Sequence, residues 1–137
     1  MFCDKAREYV TRGKAATWLL CDNVAKGMET YAKEHAAWKD RTAHARQSIN
    51  GRATQAGDTC QMTISHGVRY GKYLEKGTPP HIITPKSRKA LYWNGASHPV
   101  RLVHHPGTKG YPTILPAAEH GKEELKKAVL ALWEGGA

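Results

Sequence analysis

Residues 59–80 read TCQMTISHGVRYGKYLEKGTPP, and their pattern changes twice. Over Thr59–His66 the period is two. Cys60, Met62 and Ile64 point one way, and Thr59, Gln61, Thr63 and Ser65 the other, as in a strand with one buried face. From Val68 to Lys76 the spacing turns helical, with Tyr70, Tyr73 and Leu74 on one side. Gly77 ends that helix, and Pro79-Pro80 forbid its continuation because proline lacks the N–H a helix needs.

Upstream, Asp4–Trp38 predicts one long helix or two broken ones. Val10, Thr17, Leu20, Val24, Met28 and Tyr31 form its stripe, while Gly13 and Gly27 lower its propensity. Thr42–Ile49 predicts a short helix capped by Thr42 and stopped by Asn50-Gly51. Residues 51–58 read as a loop.

Downstream, residues 77–89 (GTPPHIITPKSRK) form a basic, proline-stiffened loop in which Ile82 and Ile83 add a short extended segment. Ala90–Trp93 and Val100–Val103 predict an antiparallel pair around the turn Asn94-Gly95. His105–Pro112 is turn-rich. A last helix runs over 116–133 with Pro116 in its first turn. It buries Ala118, Leu125, Val129 and Leu132 or Trp133, leaves Lys122, Glu123, Lys126 and Lys127 outside, and frays at Gly135-Gly136. The expected class is α+β in a single domain 1–137: N-terminal helices over 4–49, a small, mostly antiparallel sheet with its loops over 59–115, and the C-terminal helix.

The chain of 137 residues carries a net charge of +9. The excess lies in residues 50–115, which hold nine basic residues against Asp58 and Glu75 alone. Such a surface suits DNA, an acidic partner or plain solvation. No apolar run approaches the length of a membrane span. Met1–Lys5 lacks the apolar segment of a signal peptide, so folding is expected in a bacterial cytoplasm. Cys3, Cys21 and Cys60 form no C-x-x-C pair, and Cys21 and Cys60 read as small buried hydrophobes.

Signals for catalysis are missing. His66, His81, His98, His104 and His105 show no helical ligand pair, and acidic residues are scarce around them, so no metal or other cofactor is expected. Ser48, Ser65, Ser87 and Ser97 sit in no nucleophile elbow, and no phosphate-binding glycine loop occurs. The loop 76–89 stands apart: Ile82, Ile83, Pro85, Lys86, Arg88 and Lys89 suit a partner surface, because proline lowers the entropy lost when a loop orders on binding. Packing of the two isoleucines back onto the sheet is the competing reading.

Several segments together resemble a siphophage family of tail-component or neck (tail-completion, head–tail joining) proteins. Trp38-Lys39-Asp40-Arg41-Thr42 with Ala45-Arg46-Gln47-Ser48-Ile49 is similar to its W-x-D-R-T-G-x-A-R-x-S-I signature. Tyr70–Thr78 is similar to its Y-x-x-Y-L-E-x-G-T stretch, and Ile83–Lys86 with Lys89–Trp93 to its I-x-P-K and K-A-L-x-W elements. His105–Lys109 and Pro112–Ala117 are similar to its H-P-G-x-x and P-F-L-x-P-A elements. The matches run in order over residues 38–117. The chain departs in two places: Ala43 stands where the pattern has Gly, and Ile114 where it has Phe.

The resemblance implies a structural virion protein, not an enzyme, with a tail-terminator-like fold whose neighbouring subunits pack edge to edge. It implies a homo-oligomeric ring on the phage axis, a hexamer before a dodecamer, made in the host cytoplasm and carried in the virion. The ring would contact the adjoining connector ring and the tail-tube or terminator proteins. Ile82, Ile83, Pro85, Lys86, Arg88, Lys89, His105 and Lys109 are the expected contacts to neighbours. Lys72, Lys76 and Arg101 are the expected contacts to genomic DNA in the channel. A non-specific DNA-binding protein and, further off, a metal-dependent hydrolase are the alternatives.

Overall fold

The computed structural model of the chain describes residues 1–135. It is α+β. Helix α1 (Phe2–His35) precedes the short α2 (His44–Gln47), strands β1 (Asn50–Ala56) and β2 (Thr59–Ser65), and α3 (Gly71–Lys76). Strands β3 (Gly77–Thr78), β4 (His81–Ile83), β5 (Val103–His105) and β6 (Thr108–Lys109) lead to α4 (Ile114–Glu134). The strands are antiparallel, as expected, and fall into three two-stranded ribbons: β1–β2, β3–β6 and β4–β5.

The 34 residues of α1 span about 51 Å at 1.5 Å per residue. Helix α4 packs antiparallel to it. The Trp133 ring lies against Gly13, its Nε1 donates to the Thr17 hydroxyl at 3.2 Å, and Met28 lies against Gly121. The buried line of α1 is Gly13, Cys21, Ala25, Met28 and Ala32. Small side chains let the second helix and the sheet approach closely. The expected stripe of larger apolar residues meets this line only at Met28. Thr17, Leu20, Val24 and Tyr31 are half-buried, and Val10 is exposed, because the first three turns of α1 hold no buried residue. Cys21 is buried as expected and Cys60 half-buried; burial first, then the neighbouring Cys60, pushes the Cys21 thiol up.

Residues 51–58 are not a loop. Strand β1 pairs with β2 from Asn50↔Ser65 to Ala56↔Thr59. Its Gly51 rests on the backbone of Ala25, where any Cβ would overlap the Ala25 carbonyl. The Gly51 N–H donates to Glu29 Oε2 at 3.0 Å, and Lys33 donates to Glu29 Oε1 at 2.7 Å. The Gly51 N–H first, then Lys33, holds the Glu29 carboxyl below the usual carboxylate range. Beyond the helix pair, Ala32, Trp38, Ile49 and Ala117 form the core cluster, with Tyr31, Ile64, Leu74 and Ile114 packed around it.

The predicted pairing of 90–93 with 100–103 contracts to a single bridge, Leu91↔Val100. Val103 pairs instead with Ile83, through the longer-range ribbon β4–β5. Helix α4 starts at Ile114, two residues before the predicted start, with Pro116 still in its first turn. Helix α2 covers only the middle of its predicted span, and its N-cap is Ala43 rather than Thr42. The Thr42 hydroxyl still accepts the His44 N–H, at 3.4 Å. Gly136 of the expected frayed end lies outside the described residues. Among those residues, no helix is long and apolar enough to cross a membrane.

Candidate functional site

Four of the five segments that motivated the resemblance tie one element to another; the third, Ile83–Lys86 with Lys89–Trp93, does not. Trp38 is 7% exposed and belongs to the core cluster. Arg46 closes the C-terminal end of α1. Its Nη2 donates to the carbonyls of Ala36 at 3.1 Å and Trp38 at 3.3 Å, and its Nη1 donates to that of Lys33. Its Nε pairs with Asp40 at 2.7 Å, and the guanidinium lies 5.7 Å from the Trp38 ring centroid. The planar five-donor fork reaches the Lys33 and Ala36 carbonyls at the helix end, the Trp38 carbonyl beyond it and the Asp40 carboxylate at once. The turn into α2 passes through Ala43 at φ 61°, ψ 5°, a left-handed conformation that favours Gly.

Glu75, at the end of α3, caps a helix other than its own. Its carboxylate accepts the backbone N–H groups of Thr113, Ile114 and Leu115 at 2.8–3.2 Å, at the positive end of α4. His66 Nε2 lies 3.5 Å from the same carboxylate and packs at 5.7 Å against the Trp38 ring. Burial alone would raise the Glu75 pKa; the three backbone donors and His66 outweigh it, so the carboxyl is held below its usual range.

Strands β3 and β6 form a clasp. Gly77 stands opposite Lys109, and Thr78 opposite Thr108 with their hydroxyls 2.9 Å apart. The Tyr111 N–H donates to the Leu74 carbonyl at 2.8 Å. Gly77 has φ +76°, and a Cβ there would overlap the Thr108 carbonyl, so glycine is required where the chain leaves α3.

Between the two halves of the clasp, residues 79–107 form an arm. None of them is buried. Ile82 is 57% exposed, Tyr92 68% and Trp93 50%, and Leu102 is exposed as well. The two isoleucines therefore split between the readings the sequence left open: Ile83 packs across the ribbon from Val103, and Ile82 faces solvent beside His104. Pro85 is half-buried, and Lys86, Arg88 and Lys89 are exposed. His105 stacks on His81 at 4.8 Å, accepting the Gly107 N–H at Nδ1.

The structure sorts the predicted residues differently from the sequence. Arg101, expected with Lys72 and Lys76, lies on the arm, where the Leu91–Val100 bridge brings it beside the segment holding Lys86, Arg88 and Lys89. Lys109, expected with the arm, lies in the clasp opposite Gly77 and so beside Lys76. Lys72 and Lys109 each sit over a tyrosine, Tyr73 at 5.0 Å and Tyr111 at 6.0 Å.

Sequence reasoning missed Tyr92, Trp93 and Leu102 as exposed groups. The scarcity of acidic residues read from the sequence continues past Glu75: residues 76–118 contain no Asp or Glu. Lys76, Lys86, Arg88, Lys89, Arg101 and Lys109 are all exposed, and none has an acidic partner among the described residues. Those residues also contain no group of three or more His, Cys, Asp or Glu placed to share a metal ion. Comparison of the chain with protein-family models, with curated proteins and with solved structures found no match.

Proposed function

We propose that the chain is a structural component of a tailed phage that assembles as a ring at the neck or the upper end of the tail. One observation supports this reading: four of the five segments that resemble the neck and tail-completion family interlock as parts of one body, while the third, Ile83–Lys86 with Lys89–Trp93, lies on the arm. Trp38 and Arg46 of the first fix the end of α1, Glu75 of the second caps the helix opened by the last, and Gly77-Thr78 pairs with Thr108-Lys109 of the fourth. Ala43, where the family pattern has Gly, adopts the left-handed backbone that a glycine would serve.

In this reading the body is the rigid wall of the subunit, and the ribbon β4–β5 grips a neighbour. A two-stranded ribbon is marginal in water by itself, and this one exposes Ile82. A head-to-tail contact between two different faces closes a ring when the rotation closes.

The experiment uses particles assembled with the chain carrying Ile82→Ser and Ile83→Ser together. Electron microscopy should show heads and tails unjoined, or tails of irregular length, while the purified variant keeps its urea midpoint. Normally joined particles would overturn the ribbon as the contact. Deletion of the gene with no change in particle architecture would overturn the structural role itself.

A further inference from the structure

We propose that the outer half of the arm, residues 86–101, is a binding surface for single-stranded polynucleotide. The inference stands apart from the ring reading and needs no assembled particle.

Charge defines the partner's sign. A protein surface presents both signs, and its partner usually does too. Here 43 consecutive residues, 76–118, offer cations and no carboxylate. Arg12, Lys14, Lys33 and Arg46 pair with carboxylates and the other lysines and arginines outside the stretch do not; Lys86, Arg88, Lys89 and Arg101 are set apart by lying in a stretch that has no carboxylate of its own, and none of them has an acidic partner among the described residues. Four unpaired cations along one short stretch match a partner that carries a negative charge at every step, which is a phosphodiester chain.

The aromatic residues define which phosphodiester chain. Tyr92 and Trp93 are adjacent, well exposed and set among these cations. Lys86, Arg88 and Tyr92 line one shallow cleft, and the Leu91–Val100 bridge brings Arg101 to the same stretch. A duplex offers a protein its phosphates and its groove edges, and its bases stack on each other. An exposed ring has no base face to meet there. A single strand offers both phosphates and free base faces, and rings interleaved with cations are the arrangement that holds it without regard to sequence. None of residues 79–107 is buried, and Lys86, Arg88, Lys89, Tyr92, Trp93 and Arg101 are all exposed, so these side chains are open to a ligand.

The test uses the full chain and fluorescence anisotropy with labelled 20-nucleotide oligo-dT, 20-nucleotide oligo-U, a 20-base-pair duplex and polyglutamate. Either single strand should bind at least about tenfold tighter than the duplex at equal salt, and the stronger of the two identifies DNA or RNA as the source. Tyr92→Leu with Trp93→Leu should weaken single-strand binding by about tenfold per ring and leave duplex binding unchanged. Lys86→Ser, Arg88→Ser and Lys89→Ser together should lower the slope of log K against log salt by about 2, at roughly 0.7 per phosphate contact. Unchanged urea midpoints show that the variants are folded. Duplex binding as tight as single-strand binding, wild-type affinity in the aromatic variant, or a preference for polyglutamate would each overturn the proposal.

Discussion

The stretch from Trp38 to Glu75 and the stretch from Pro79 to Gly107 differ in what their polar groups are engaged with. In the first, two charged side chains, Arg46 and Glu75, face inward to the backbone. Arg46 gathers carbonyls from the end of α1 and beyond it, Glu75 gathers N–H groups from the start of α4, and the Gly51 N–H of this stretch is taken by Glu29 of α1. In the second, no charged side chain bonds to backbone, and the recorded side-chain bonds are short-range ones made by histidines, such as His81 to the Pro79 carbonyl. The difference teaches that a conspicuous motif can mark a structural tie and need not mark an exposed surface. The residues that carry the family resemblance most sharply are tied up in the frame. The residues left exposed and unengaged lie between the halves of the clasp, in a stretch that also holds the Ile83–Lys86 and Lys89–Trp93 elements.

Three measurements press on that contrast. Trp38→Ala removes a large, nearly buried ring from the core cluster, so its urea midpoint should fall by the equivalent of about 3–5 kcal/mol. A change below about 1 kcal/mol would show that Trp38 is a surface anchor and not part of the frame.

Glu75→Gln keeps the shape and removes the charge. The loss expected is about 1.5–3 kcal/mol at neutral pH, since the carboxylate accepts three backbone donors. The pH dependence sharpens it. The folded pKa of Glu75 is lowered, so its contribution is fully present above the unfolded carboxyl value of about 4.3 and disappears as pH falls through the lowered folded value. Denaturation followed from about pH 6 down to about pH 3 should therefore bring the wild type toward the Glu75→Gln variant. Parallel curves would remove the cap.

Ile82→Ser, on the arm, should move the midpoint by no more than about 0.5 kcal/mol. Amide hydrogen exchange on the same protein should show β4 and β5 opening far more readily than α1 and α4, whose amides exchange near the global limit. Equal protection in both would erase the distinction between frame and arm.

Much of the frame is legible in the sequence. The 3.6-residue period marks α1 and α4, and the two-residue period marks β2. Strand β1 escapes because NGRATQA has no large apolar residue to set a period, and because Gly51 imitates a helix stop. What demands that glycine is the backbone of Ala25, which no local pattern reveals. The hairpin expected at 90–103 is misjudged for the opposite reason. Local turn chemistry at Asn94-Gly95 is strong, but the ribbon that forms joins residues about twenty positions apart, His81–Ile83 with Val103–His105.

The candidate site divides the same way. The basic loop is visible as composition. The reassignment of Arg101 and Lys109 needs the pairings Leu91↔Val100 and Gly77↔Lys109. The capping duty of Glu75 depends on donors 38–40 residues away, and so lies beyond any short motif.

The clasp has a further consequence for how such a chain can diverge. Because Thr78 and Thr108 are hydrogen-bonded partners, everything between them departs from and returns to one point on the molecule. The entropic penalty of closing such an excursion grows only with the logarithm of its length. Insertions, deletions or wholesale replacement between these two threonines would thus leave the rest of the architecture intact, making this the stretch in which a descendant lineage can change its exposed surface without relearning how to fold.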